Sequence, residues 1–432
     1  MTARAISAGV SRRRFLHGVI AAGAAGPLIL RARSQARAEA NDRINLGFIG
    51  VGTMGRYHVD RFLKYPDVQI VSVCDVVEAR REHSKQTVEN HYAQQAGLGS
   101  YAGCATYNDF RELLARDGLD AVLIATPDHW HTIPAILAAR AGKDIYCEKP
   151  LTLTIGEGRR LVNEVRNSKV VLQTGSQQRT EFDGLFRTAA ELIRNGRIGK
   201  VRTVRVGVGA PPVPCDLPEQ DVPEGTDWDM WLGQAPWRGY HEELCPKGVH
   251  KHFPAFRNYR EFAGGGLADM GAHHFDIAQW ALAMDDSGPV KIEPPVGDDA
   301  TGLKFTYENG VEMFHGGPSG CTFEGEIGTI YVDRGKLESA PEEIVKTPLG
   351  DGDIKLYRAD DHGRDWLDAV RGRRAPAADV EIGHRSAAIC HLANLGYQLR
   401  RALTWNPSAE RFIGDDEANS LLHREPREPW KI

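Results

Sequence analysis

The chain has 432 residues, of which 41% are hydrophobic, and 53 Lys and Arg against 58 Asp and Glu give a formal charge of −5. That length allows two domains with full cores, and the mildly acidic balance argues against nucleic acid or anionic lipid as a partner. The seven cysteines are odd in number, irregularly spaced and without a C-x-x-C pair, which excludes a disulfide scaffold and a zinc site; no metal is expected.

Residues 11–16 read SRRRFL and are followed by the apolar run Gly18–Leu30. That run is shorter than the roughly 20 residues of a membrane span. SQARAEA comes next, with small residues at Ala36, Ala38 and Ala40 spaced for a signal peptidase. A basic, then apolar, then small-residue order is a secretory signal, with an uncleaved anchor as the alternative. The arginine triplet resembles a twin-arginine export signal. Residues 1–40 are therefore assigned to a signal, with the twin-arginine translocase as partner and the periplasm, or another extracytoplasmic space, as location. Cleavage after Ala38 removes seven Arg and no acid, taking the formal charge from −5 to −12. Later apolar runs are short, so the mature chain is not expected to be an integral membrane protein.

RINLGFIGVGTMG, residues 43–55, places a buried strand directly before Gly50, Gly52 and Gly55 in a G-x-G-x-x-G pattern, with Thr53 and Met54 inside the turn. The first glycine permits the tight turn and the second lets the backbone approach a pyrophosphate. The third lets the next helix pack closely with its N-terminus aimed at the phosphates. A second strand, Val68–Asp75, ends on a carboxylate twenty residues after Gly55. Asp75 is placed to accept from an adenine ribose hydroxyl and to repel a 2′-phosphate, which favours NAD; Arg80 and Arg81 keep NADP open. Leu119–Thr126 and Asp144–Leu151 are further strands, and they carry His131 and Lys149 at their carboxyl ends, where active-site groups gather in such sheets. Residues 41–168 are read as a Rossmann domain.

A helix over 153–167 leads to a strand at Val170–Thr174 and the polar segment GSQQR. An amphipathic helix ends near Asn195-Gly196, and KVRTVRVGVG opens a new sheet. Residues 210–262 are irregular and rich in aromatics, among them Trp228, Trp231, Trp237 and Tyr240. Such faces stack on sugar rings, and Trp231 is a candidate substrate contact; plain packing is the alternative. Cys215 and Cys245 lie in the same region and could pair in an oxidising compartment. In GGGLADMGAHHFDIAQWAL the residues Asp269, His273 and Asp276 fall at i, i+4 and i+7, on one helix face, with His274 about 100° round. Several antiparallel strands follow, with an Asn309-Gly310 hairpin signal. They predict an open sheet with one face on helices and the other needing cover. Two terminal helices, about 361–371 and 381–402, close the chain, with His384 and His391 read as packing. The expected class is α/β: an N-terminal doubly wound parallel sheet, then an α+β domain over 169–345 with an open, largely antiparallel sheet, and a helical segment over 346–432 that packs back on both.

AT-PDHWH, CEKPL, QTGSQQR and GAHHFDIAQWAL resemble signature segments of the glucose–fructose oxidoreductase, inositol dehydrogenase and rhizopine-catabolism (Gfo/Idh/MocA) family, from about residue 43 to the end. The resemblance is to its exported members. It implies that Lys149, within Glu148-Lys149-Pro150, touches the substrate hydroxyl and the nicotinamide ribose, and that the peptide before Pro150 is cis. Thr126, Pro127 and His131 match a cofactor-side segment in which Asp128 replaces the usual Asn. Gln177 is implied near the nicotinamide, and Arg179 matches the same segment. His273 is implied as the proton-transferring partner of the reacting hydroxyl, with Asp269 orienting it or binding sugar. Arg179, Trp231, His274 and Asp276 complete the candidate substrate contacts. A lysine beside a cationic nicotinamide and partly desolvated is expected to have a lowered pKa and to share in removing a hydroxyl proton.

The implied activity is NAD(P)-dependent oxidation or reduction of a sugar secondary alcohol, C3 of a glucoside favoured, in a homodimer or homotetramer. The alternatives are an NAD-dependent glycosidase using transient C3 oxidation, an inositol 2-dehydrogenase-like polyol dehydrogenase, and a non-catalytic sugar-binding protein. Nicotinamide cofactors are made and recycled in the cytoplasm, so export implies a tightly bound NAD carried across.

Overall fold

Six segments build the first sheet, the central ones apolar and buried on both faces as parallel strands require, with the edge strand only partly buried. The computed structural model describes residues 43–431; the export-signal segment lies outside the described residues. The strands β1 (Ile44–Ile49), β2 (Val68–Cys74), β3 (Ala105–Tyr107), β4 (Ala121–Ile124), β5 (Asp144–Cys147) and β6 (Leu172–Thr174) stand in the order β3-β2-β1-β4-β5-β6. All five pairings are parallel. The order reverses between β1 and β4, and the crevice beyond their carboxyl ends is where such sheets bind ligands. Helices α1 (Thr53–Phe62), α2 (Glu78–Ala96), α3 (Thr132–Arg140) and α4 (Ile155–Ser168) connect the strands. A capping box starts α4, Thr154 accepting from Glu157 N while the Glu157 side chain accepts from Thr154 N.

The strand read at Val170–Thr174 as the opening of a second domain belongs instead to this first sheet, with Ile145 opposite Leu172 and Cys147 opposite Thr174. It is wholly buried against β5, so the first domain extends past residue 168.

The second sheet runs β12-β11-β10-β9-β8-β13-β14, with β7 (Val201–Gly207) paired to β10 (Glu312–Gly325). Thr203 faces both Glu312 and Glu324, so β10 folds around β7 and pairs along both its edges. Gly316, Gly317 and Gly320 make that bend with φ of 130°, 100° and 96°, which side-chain-bearing residues rarely adopt. The other strands are β8 (Lys291–Glu293), β9 (Lys304–Thr306), β11 (Thr329–Asp333), β12 (Lys336–Ala340), β13 (Leu403–Asn406) and β14 (Arg411–Phe412). The inner face, including Val204, Phe305, Met313, Phe323 and Ile330, packs on helices α5 (Leu185–Arg194) and α6 (Gly265–Ala281). The outer face carries ion pairs, with the Phe314 and Tyr331 rings lying under Arg205 and Lys336. Lys304 bridges Glu293 and Glu312 at 3.1 and 3.0 Å, and Arg205 sits 3.5 Å from Glu324.

The end of the chain is not only helical, since β13 and β14 complete the second sheet. Helix α7 (His362–Gly372) returns to the first domain, where Trp366 is fully buried with its ring 5.8 Å from Phe62 and 5.7 Å from Tyr146. Helix α8 (Val380–Leu399) packs between α6 and α4. On it His384 pairs with Glu410 at 2.6 Å and His391 bonds Thr152 O at 2.9 Å. Among the described residues all seven cysteines are free thiols, Cys215 and Cys245 included, and no helix is long and apolar enough to cross a membrane.

Two groups of candidate substrate contacts lie in the packing. Trp231 stacks on Trp228 (4.7 Å between centroids, 14° between planes) inside an aromatic cluster with Tyr240, Phe256 and Phe262. Arg179 and Asp276 form a bidentate ion pair of 2.8 and 2.8 Å, with side chains 3% and 0% exposed. Asp285 accepts a further bond from Arg179 at 2.6 Å, and Ser386 Oγ donates to Asp276 at 2.6 Å. The Asp276 carboxylate is thus consumed by protein donors, and the third position of the i, i+4, i+7 row points to α8 rather than to open space. Removing Asp276 leaves the buried Arg179 with only the partly exposed Asp285 and leaves Ser386 Oγ without that acceptor. Asp276→Ala should therefore cost up to about 3 kcal/mol of stability, read from denaturant unfolding followed by circular dichroism.

Candidate active site

The glycine turn after β1 is shaped for a dinucleotide. Gly50 has φ +84°, and a Cβ there would lie 2.8 Å from the Ala125 backbone. A Cβ on Gly55 would lie 2.1 Å from Gly50 O, so α1 packs directly on the turn. At Gly52 a Cβ would meet nothing within 4 Å. Its smallness serves the open trough, not the protein's own packing, as close approach by a pyrophosphate requires. Thr126 Oγ1 is buried at the same trough without a hydrogen-bond partner, a polar group left for a ligand.

Two cavities share Thr53, Met54, Thr126, Phe253 and Arg257, and so form one trough. Asp75 lies at the end of the trough beyond β2, the end expected to take the adenosine, accepting from Val51 N and Val77 N at 2.9 Å each. Arg80 lines that end but is spent on the protein, bonding Gly248 O at 3.0 Å and Pro246 O. Arg81 bonds the Asp75 carbonyl at 3.1 Å. The two arginines that kept a 2′-phosphate in view are thus both engaged. The segment 245–254 forms a strap from the second domain over the glycine turn. Thr53 Oγ1 donates to His252 O at 2.8 Å, and Arg56 donates to Val51 O (3.0 Å) and His250 O.

The other end of the trough is lined by Glu148, Lys149, Gln177, Asp269 and His273, with Asp128, Phe182 and Arg334 at its walls. Lys149 follows β5 and its peptide bond to Pro150 is cis. Its Nζ donates to Asp269 Oδ1 at 2.6 Å and to Asp269 O at 2.8 Å, linking the first domain to α6. Burial opposes the charge on Asp269, but the Lys149 and Arg257 cations outweigh it and hold the carboxyl below the usual range. His273, one turn on, is driven well below an ordinary histidine by burial and then by the charges of Lys149 and Arg334. It stands neutral, with Nδ1 unpartnered.

Behind them lies a buried network. Glu148 Oε1 accepts from Gln177 Nε2 at 2.9 Å and faces His58 Nε2 at 2.8 Å; Gln177 also donates to Tyr146 Oη at 3.0 Å. Burial would raise Glu148, yet the bond and charge of His58, with Lys149 beside it, keep its carboxyl below the usual range. His131 faces Pro150 O (2.7 Å) and Thr126 O (3.0 Å), so its ring nitrogens brace two backbone turns at the trough. His274 is not at the trough: it is buried 3.8 Å from Asp333 and beside Phe186. Trp231 lines the adenosine end from within its aromatic cluster, away from Lys149.

His58, Arg257 and Arg334 were not legible as site residues. His58 carried a signal, being a polar side chain four residues before the buried Phe62 on the sheet-facing side of α1. Arg334 carried none, because a hairpin tip brings it in.

A parallel nucleotide-binding sheet, a glycine turn opening onto a long trough, and a Lys–Asp–His group at its far end together define a two-domain nicotinamide-dependent oxidoreductase. The model of the oxidoreductase-family NAD-binding Rossmann fold matches residues 44–176, and that of the family's C-terminal alpha/beta domain matches residues 214–432. The chain belongs to the Gfo/Idh/MocA oxidoreductase family, and its cofactor is NAD. It is 30% identical over 189 residues to a myo-inositol 2-dehydrogenase of Thermotoga maritima, covering 44% of this chain and 52% of that protein. It is 34% identical over 128 residues to a glycosyl hydrolase family 109 protein of Shewanella sp., covering 29% and 27%. The chain thus spans about half or less of the length of these two relatives. An aldose-aldose oxidoreductase of Caulobacter crescentus shares the fold, with a TM-score of 0.57 at 16% identity over 84% of this chain and 99% of that one.

Burial drives His129 down to about 3 and His274 and His391 to about 4. An unfolded chain has these groups near 6.5. Below about pH 6.5 the unfolded state binds protons that the folded state refuses, so stability falls as pH falls towards 4. Glu148 and Asp269, held low in the fold, extend the loss at more acid pH. Thermal melts should decline steadily from about pH 6.5 to about pH 4; a flat profile across that window would contradict these assignments.

Proposed function

We propose that this protein oxidises, and in reverse reduces, a secondary alcohol on a sugar or glycoside, C3 of a glucoside favoured, with NAD held throughout the cycle. The observation that carries the reading is the Lys149–Asp269 contact of 2.6 Å beside a neutral His273, in the trough that begins at the glycine turn. Bound NAD supplies the hydride acceptor. Lys149 donates a charge-assisted hydrogen bond to the substrate oxygen and favours the developing alkoxide. Asp269 holds the ammonium in place. His273, neutral and lining the trough beside Lys149, takes the hydroxyl proton and returns it in the reverse direction. The Glu148–His58–Gln177 network fixes the backbone from which Lys149 projects.

Retention of the cofactor is supported by the strap, whose bonds to Thr53, Arg56 and Arg80 cover the turn that would cradle the pyrophosphate. It also suits an exported protein, the reading of residues 1–40, which would cross through the twin-arginine translocase already folded around NAD.

A second reading, net glycoside hydrolysis through transient oxidation, is favoured by Asp128. This carboxyl lines the trough near Lys149, and burial raises it from the usual carboxylate range, the direction a general acid for a leaving group needs. Release of an aryl aglycone with no second substrate would select it; reduced nicotinamide that persists after sugar addition would select the oxidoreductase.

Protein beginning at residue 41, purified without added cofactor, should show bound nicotinamide in its absorbance and should reduce it on addition of one member of a glycoside and polyol panel. Lys149→Ala should keep the cofactor and lose this reduction by about 10²–10⁴-fold; wild-type turnover would remove Lys149 from the mechanism. Arg80→Ala should fold and lose cofactor during gel filtration that wild type retains, measured by absorbance of the eluted peak.

A further inference from the structure

The hairpin tip between β11 and β12, Asp333–Arg334–Gly335, reaches the reacting end of the trough, where Arg334 stands with Lys149 and His273. This arginine is held as a receptor would be. The Gln178 amide satisfies both its ends in one orientation only, its nitrogen donating to His273 O (3.0 Å) and its oxygen accepting from Arg334 Nε (3.2 Å). The guanidinium lies over the Phe182 ring at 4.9 Å. Phe182 and Asp183 have φ of 59° and 55°, a left-handed conformation rare for a bulky side chain and kept at a cost. The ring that supports Arg334 is thus maintained against local backbone preference.

The other cations of the trough are matched. Lys149 meets Asp269, Arg61 meets Glu181 and Asp361 at 2.7 Å each, and Arg257 lies 3.9 Å from Asp269. Among the described residues no carboxylate stands within ion-pair distance of Arg334. With Nε bound and the plane stacked, its two terminal nitrogens form a fork that fits both oxygens of one carboxylate.

We propose that Arg334 binds a carboxylate carried by the sugar, so that the preferred substrate is a sugar acid, a uronic acid or its glycoside, and not the neutral parent. The identity of the substrate as a sugar rests on the oxidoreductase reading; the binding itself needs no turnover. The fork sets the distance between the anionic group and the hydroxyl at Lys149, and so selects which carbon reacts.

The test is calorimetric titration of the NAD-bound protein with matched pairs, glucuronate against glucose and galacturonate against galactose, with glucose 6-phosphate as a phosphate control. At least one uronate should bind tenfold or more tighter than its parent. That advantage should fall at least tenfold in Arg334→Gln and be partly restored in Arg334→Lys, with unchanged melting temperatures. Equal affinity within every pair, or an advantage that survives Arg334→Gln, overturns the proposal. Tighter binding of glucose 6-phosphate than of glucuronate overturns it in favour of a phosphate. The same ligands are then offered as reductants of the bound nicotinamide. Uronate binding without reduction keeps the anion site and rejects the oxidoreductase reading; reduction by neutral sugars alone keeps that reading and rejects the anion site.

Discussion

The contact between Lys149 and Asp269 is the hinge of the chemistry, because its two members come from different domains. Lys149 leaves the end of a parallel strand, and Asp269 sits in the first turns of a helix that belongs to the second core. The attraction is partly shielded from water, with side chains 15% and 33% exposed, so it is stronger than a surface pair and still reachable by a ligand. It keeps Asp269 ionised, it adds a cation to the burial that already holds the His273 ring neutral, and it closes the trough at one end. The cation, the carboxylate and the neutral ring of the proposed reaction are thus set by one short approach between two folding units.

The elements around that approach explain why it is rigid. Trp366, from the end of the chain, is sealed into the first core with Phe62 and Tyr146. His362 bonds Thr174 O at 2.8 Å, and Gln173 Nε2 donates to His362 O at 2.6 Å, tying the returning helix to β6. The Arg179–Asp276 pair anchors the polar segment after β6 to the middle of α6. Each of these joins a residue of the nucleotide half to one more than ninety positions away.

Local pattern carried much of this architecture. The glycine turn, Asp75, the apolar strands and the terminal helices have short-range signatures, since a buried parallel strand and a tight turn are specified within a dozen residues. Lys149, Asp269 and His273 were legible from their segments and do meet at one site. The failures share a cause. Arg179, Asp276 and His274 are polar residues at helix or turn positions whose direction is decided by the neighbour that packs on them, and no local pattern names that neighbour. Trp231 looked like a sugar platform because aromatic content in an irregular loop has the same composition whether it packs inward or lines a cleft. The Val170–Thr174 strand was put beyond the domain boundary because a short apolar strand does not state its partner. Arg334 was invisible because a hairpin tip in the second sheet acquires its meaning only when the two domains close.

The strap over the glycine turn has a consequence for order in time. Thr53 and His252, which it joins, are 199 positions apart. During synthesis the glycine turn and the parallel strands emerge before the segment that covers them. There is therefore an interval in which the turn exists without its cover, and it ends when the second half folds. Loading during that interval and exchange afterwards are different kinetic processes: the first is governed by the free concentration of the dinucleotide, the second by how often a short segment lets go.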